Sequence, residues 1–172
     1  PFHPEIVAGV GSYAYELFSA VADLDAVYVP IGCGSGISGL IAWRDALGLK
    51  TKIIGVVSEN ADCYARSWEA GKPVETPSAN TFADGMAVRV PVPAALEIIR
   101  AGAERIVRVS DDEVRAAVRY FYTDTHNLIE GAGAAPLAAL IKDTARKGER
   151  FAVIASGGNI DREAYMAVLS AA

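Results

Sequence analysis

The chain has few of the residues that bind metals or staple small folds: only two cysteines and two histidines among 172 residues. Cys33 and Cys63 form neither a CxxC pair nor a metal-ligand spacing, which removes a cysteine-built metal centre from consideration. Such sparse thiols read as a reduced, cytoplasmic compartment, with a single Cys33–Cys63 disulfide as the alternative. His3 and His126 are isolated and read as structural. No apolar run is long enough to cross a bilayer, and no signal or transit segment stands out. The 16 basic residues are outnumbered by 21 acidic ones, for a net charge of −5, and they form no basic stripe. Nucleic acid is therefore not an expected partner. No glycine-rich turn continues into Gly-Lys-Ser/Thr, so a Walker A loop is excluded. The opening Pro1-Phe2-His3-Pro4 lacks a methionine and reads as loop, which suggests a chain entered midway.

What is present is apolar. Hydrophobic residues make up 52% of the chain and mean hydropathy is +0.24, supplied by Ala, Val, Ile and Gly along the whole length. That fits a parallel sheet buried on both faces, or surface covered by a partner. Ala26–Ile31, Lys52–Val57, Arg105–Val109 and Phe151–Ala155 are β-branched runs of the buried-strand kind. Between them lie helical patterns. Ile6, Val10, Tyr13, Leu17 and Val21 recur every three or four residues and predict one helix over residues 5–22. A second helix is expected from Ser35 to Leu47, ended by Gly48. Ser110 and Glu113 make a capping box for a helix running to about Tyr122. Further helices are expected over Gly133–Arg146 and from Asp161 onward, whereas residues 71–93, with four of the eight prolines, read as a long loop. Repeated β-α units predict an α/β fold: a mostly parallel sheet with helices on both faces.

Ligands of such sheets bind at the carboxyl ends of the strands. The first strand is followed by Gly32-Cys33-Gly34-Ser35-Gly36-Ile37-Ser38-Gly39 and then a helix. Small residues there let backbone N–H groups converge beside the positive end of the helix, a site for a phosphate. A Rossmann dinucleotide turn reads similarly, and Ser58 and Glu59 lie near the place of its acidic residue. The last strand is followed by Ser156-Gly157-Gly158-Asn159-Ile160-Asp161, a second small-residue turn. Glu130-Gly131-Ala132-Gly133 sits at a helix entrance, where a glutamate either complements the helix dipole or faces a ligand.

In order, these stretches resemble the C-terminal half of fold-type-II pyridoxal-phosphate enzymes, the threonine/serine dehydratases and serine racemases. Val29–Gly39 resembles that family's glycine-rich phosphate loop. Thr81-Phe82-Ala83-Asp84-Gly85, Glu130–Gly133 and Ser156–Asp161 resemble its other signatures, and Pro1–Pro4 with Ala8–Ser12 its P-F-x-x-P…A-G-x-G-T stretch. The resemblance implies that amides of Gly32, Cys33, Gly34, Ser35 and Gly36 hold the phosphate of pyridoxal 5'-phosphate. It implies too that Ser156 bonds the pyridine nitrogen, that Glu130 sits near the ring and that Asn159 braces the Ser156 turn. The implied substrate is a small amino acid, L-threonine or L-serine, and the implied assembly a homodimer.

Residues 1–172 would then be the C-terminal part of the cofactor-binding large domain, without the small domain. The family's Schiff-base lysine lies upstream in an S-F-K-x-R-G-A segment that does not occur here. No catalytic residue is therefore expected in this chain, and its partner would be the preceding half of the same enzyme. Cys33 and Ser35 replace two glycines of the family loop, a change that spares backbone amides. Val56 stands where the racemase-like members place a cation-binding glutamate, so no metal site is expected. A non-catalytic module that binds phosphate or pyridoxal phosphate, or a serine racemase-type enzyme, is the alternative, and a nucleotide-binding domain a more remote one.

Overall fold

The computed structural model describes residues 2–143 and 148–171. Strands β1 (Ala26–Pro30), β2 (Lys52–Ser58), β3 (Arg105–Val109) and β4 (Phe151–Val153) form a parallel sheet in the order β3-β2-β1-β4. The helices are α1 (Pro4–Val10), α2 (Ser12–Ala20), α3 (Ser35–Ala46), α4 (Cys63–Ala70), α5 (Pro93–Gly102), α6 (Asp111–Tyr120), α7 (Gly131–Lys142) and α8 (Arg162–Ser170).

Alternation along the strands sends neighbouring side chains to opposite faces. Val27, Val29, Ile53 and Val57 pack against Leu40 and Ile41 of α3, Tyr64 of α4 and Ile99 of α5. Ala26, Tyr28, Ile54 and Val56 meet Val114 and Val118 of α6 and Ala134, Ala135 and Ala138 of α7. Both faces are therefore covered, as the unbroken apolar runs require. Each valine or isoleucine so buried contributes about 1.5–3 kcal/mol relative to exposure. α7 is buried almost all round and built mainly of Ala and Gly, which lets it lie close to both sheet and α6.

The capping box of α6 forms as expected: Ser110 Oγ accepts from the Glu113 N–H and the Glu113 carboxylate accepts from the Ser110 N–H. That helix ends at Tyr120 and passes into a π-helical turn, Phe121–Thr125. The helix expected over residues 5–22 is broken into α1 and α2 at Gly11. A Cβ on Gly39 of α3 would stand 2.9 Å from the Gly11 Cα, so α3 crosses the break at backbone distance. The apolar stripe of this helical pair meets the core only in part: Tyr13 and Leu17 pack against it, whereas Ile6, Val10 and Val21 are exposed, and Ala14 is the one buried residue of the two helices. α7 starts two residues before expectation and is described to Lys142; Arg146, its expected end, lies outside the described residues. α4 and α5 have no counterpart in the sequence reading, although Pro93 at the first turn of α5 is a helix-start signal.

The long loop is pinned shut at its base: the Thr76 N–H donates to the Arg89 carbonyl (2.9 Å) and Arg89 Nε to the Thr76 carbonyl (3.2 Å). Both histidines act locally. His3 Nδ1 accepts from the Glu5 N–H at the start of α1. His126, in the left-handed region at φ 56°, hydrogen-bonds the Tyr122 carbonyl.

Candidate functional site

β1 ends at Pro30 and α3 begins at Ser35, leaving Ile31, Gly32, Cys33 and Gly34 to make the connection. Gly34 adopts φ 93°, and a Cβ there would lie 2.6 Å from the Ala95 Cβ. Only glycine meets both demands. Because Gly34 is the N-cap residue, no side chain caps α3, and the first turn carries no acid. The first N–H groups of a helix have no partner inside it, so those of α3 remain available to an anion. A Cβ on Gly36 would meet nothing within 4 Å; the space beside the helix end is open.

Two tyrosines brace this turn, and sequence spacing shows neither. The Tyr64 hydroxyl donates to the Cys33 carbonyl (2.9 Å) and accepts from the Val92 N–H (3.0 Å). Burial pushes its pKa up to about 12, so it remains a neutral donor at physiological pH. The Tyr13 hydroxyl donates to the Gly36 carbonyl (2.9 Å), and burial raises its pKa well above the ordinary value. Behind the turn runs the Thr81–Gly85 segment. A Cβ on Gly32 would come within 2.5 Å of the Gly85 carbonyl oxygen, so the two backbones touch. Asp111 holds that segment in place, accepting from Thr81 Oγ1 (2.5 Å) and from the Phe82 N–H (2.9 Å).

β4 lies beside β1, which brings the turn after β4 next to the glycine loop. An open cleft of about 960 Å³ is lined by Gly32, Cys33, Gly34, Ser35 and Gly36, by Ser156 and by Glu130. Ile6, Val10, Tyr13 and Leu17 of α1 and α2 also line it, so most of the stripe faces this cleft. Asn159 instead lines a neighbouring cavity of about 500 Å³, which Glu130 shares. Glu130 occupies the N-cap position of α7 but makes no side-chain cap there. Its carboxylate accepts from the Asn159 N–H (3.1 Å), and its own N–H donates to the Gly157 carbonyl (3.1 Å).

Of the lysines in the described residues, none lines the cleft. Lys142 is held by Glu113 (3.1 Å), Glu59 (3.5 Å) and the Arg108 carbonyl, and Lys52 lies 3.6 Å from Glu104. Lys50 lines a cavity at the opposite end of the sheet, and Lys72 follows α4 on the surface. Lys147 lies outside the described residues. Val56, at the place of the racemases' cation-binding glutamate, is fully buried. Asp62 is engaged by Arg66 Nε (2.7 Å) and Arg108 Nε (3.0 Å). Among the described residues no group of three or more His, Cys, Asp or Glu could hold a metal ion.

The glycine turn at an uncapped helix end, with open space before it, suits a phosphate group. Residues 1–157 match the family of pyridoxal-phosphate dependent enzymes. The chain belongs to that family. Asn159 falls just beyond the matched residues. The chain is 32% identical over 162 residues to an L-threonine ammonia-lyase of Thermotoga maritima, covering 94% of this chain and 40% of that protein. It is 35% identical over 161 residues to the catabolic L-threonine dehydratase TdcB of Escherichia coli, covering 92% of this chain and 49% of that protein. The processed form of threonine deaminase isoform 2 from Solanum lycopersicum superposes with a TM-score of 0.92 at 29% identity, covering 99% of this chain and 51% of that one. The chain thus spans less than half the length of these two curated relatives. Its fold is the α/β fold of this pyridoxal-phosphate family, with the parallel sheet and two helical layers expected from the sequence.

Proposed function

We propose that this chain is the cofactor-cradling part of a pyridoxal-phosphate dependent ammonia-lyase that converts L-threonine or L-serine to a 2-oxo acid and ammonia. The observation that carries the proposal is convergence: the Gly32–Gly36 turn at the uncapped end of α3 and the exposed Ser156 after β4 line one cleft. The amides of Gly32, Cys33, Gly34, Ser35 and Gly36 hold the phosphate, and the Ser156 hydroxyl bonds the ring nitrogen. Pyridoxal phosphate supplies an electron-withdrawing ring that stabilises negative charge at the α-carbon of an amino acid. A hydroxyl partner does not enforce a protonated ring nitrogen as a carboxylate would, and this milder setting suits loss of a β-hydroxyl.

The lysine that links the cofactor and moves the α-proton comes from elsewhere in the whole protein, as does the grip on the substrate carboxylate. The apolar stripe of Ile6, Val10 and Leu17 along the cleft supports a covering segment there. The free thiols of Cys33 and Cys63 support a cytoplasmic location, and exposed apolar residues such as Tyr120, Tyr122 and Met166 support a homodimer. The test is ammonia release from L-threonine and L-serine by the whole protein loaded with pyridoxal phosphate. Release from neither, with the cofactor still bound, favours a non-catalytic binding module. Failure to bind pyridoxal phosphate overturns the assignment.

A further inference from the structure

We infer that Glu130 is a positioning residue: its carboxylate latches the Gly157–Asn159 turn and thereby fixes the Ser156 hydroxyl in the cleft. The inference rests on the proposed cofactor site and adds a role that the site's own chemistry does not require.

Both halves of Glu130 engage the same turn. Its main-chain N–H donates to the Gly157 carbonyl (3.1 Å), and its carboxylate accepts from the Asn159 N–H two residues further on (3.1 Å). Short side chains at this position cap the first-turn amides; Glu130, longer, makes no such bond with α7. The carboxylate is instead directed across to the turn after β4. The turn is shaped to receive it: a Cβ on Gly157 would stand 2.7 Å from Glu130 Oε1 and 3.0 Å from its Cδ. A Cβ on Gly158 would stand 2.8 Å from the Leu128 carbonyl, and one on Gly133 would stand 2.8 Å from the Gly157 carbonyl. The two segments therefore meet backbone to backbone, with the carboxylate lying over Gly157.

The latch matters because little else fixes Ser156. β4 is three residues long and half-exposed, its last sheet bond runs from the Ile154 N–H to the Tyr28 carbonyl, and Ala155 and Ser156 are exposed. A two-glycine turn is entropically free unless held. A hydrogen bond from a backbone amide to a carboxylate is of the stronger, charge-assisted kind. Ser156 directly precedes Gly157, so its hydroxyl inherits the position of the latched turn.

The experiment compares wild type with Glu130→Gln and Glu130→Ala in the whole protein. It reads backbone hydrogen exchange at Asn159 in the cofactor-free protein, and affinity for pyridoxal phosphate separately. With the latch, Asn159 exchanges roughly ten- to a hundred-fold faster in Glu130→Ala. Glu130→Gln keeps a carbonyl acceptor and falls between the two. Cofactor affinity follows the same order, about ten-fold weaker in Glu130→Ala and largely rescued in Glu130→Gln. Asn159 exchange equal in all three proteins overturns the latch, whatever the cofactor result. Loss of protection at Asn159 in a protein that binds no pyridoxal phosphate even as wild type keeps the latch and overturns the cofactor site instead.

Discussion

The two ends of the sheet solve the problem of exposed polar groups in opposite ways. At the amino ends of the strands, a cavity of about 630 Å³ is lined by charges of both signs, among them Asp23, Asp25, Lys50, Lys52, Arg105 and Asp143. Several of those groups are already paired. Arg105 pairs with Asp143, the Tyr28 hydroxyl donates to Asp143 (3.0 Å), and the Arg150 N–H donates to Asp25 (2.7 Å). Burial, reinforced by the Asp143 carboxylate, raises the pKa of the Tyr28 hydroxyl. At the carboxyl ends the cleft is lined mainly by glycines, Ser156 and an apolar stripe, and its donors are main-chain amides at an uncapped helix end. A survey of side-chain charge alone selects the amino end. The carboxyl end is the proposed binding site, because the first amides of α3 have no side-chain cap.

The most damaging way to break the contrast is Gly34→Ala. Alanine at a left-handed φ, with its Cβ against Ala95, is expected to cost about 2–4 kcal/mol in urea unfolding and to abolish cofactor binding. Next is Ser156→Ala. It removes one hydrogen bond of about 0.5–1.5 kcal/mol, so pyridoxal-phosphate affinity of the whole protein falls roughly three- to ten-fold, with the unfolding midpoint unchanged. Asp143→Asn acts at the other end of the sheet. It lowers stability by about 1 kcal/mol, the upper range for a half-exposed ion pair, and leaves cofactor affinity alone. Loss of affinity in Asp143→Asn would show that the two ends are coupled.

The smallest effect is a pH dependence from beside the carboxyl ends of β2 and β3. Burial works to raise the Glu113 carboxyl, but the Ser110 N–H and the Lys142 ammonium outweigh it and hold its pKa below the usual range. A carboxyl depressed in the folded state stabilises fully above its unfolded value near ~4.3. That contribution drains away as pH falls through the lower folded value. The melting temperature should therefore drop below about pH 4, and Glu113→Gln should flatten that drop while lowering the melting temperature at pH 7.

What the sequence showed and what it hid follow the range of the interactions. The four strands, the capping box at Ser110 and the turns after β1 and β4 are local patterns, and all were legible. The stripe of Ile6, Val10, Tyr13 and Leu17 was legible as one apolar helix face, but periodicity does not say what covers such a face. It lines the cleft, and the helix breaks at Gly11 where α3 crosses. Tyr13 and Tyr64 brace the glycine loop across 23 and 31 residues of sequence, and Asp111 reaches back to Thr81 and Phe82. Contacts at that range leave no spacing signal. The resemblance implies that Asn159 braces the Ser156 turn, but it gives no partner; in the structure the Asn159 main-chain N–H reaches Glu130, 29 residues away.

The central claim is that the turn from Gly32 to Gly36 exists to hold a phosphate. Paired equilibrium titrations of the whole protein with pyridoxal phosphate and with phosphate-free pyridoxal test it most directly, since both share the ring and the aldehyde. The expected result is at least ~100-fold tighter binding of the phosphate form, about 2.7 kcal/mol. Equal affinities would contradict it.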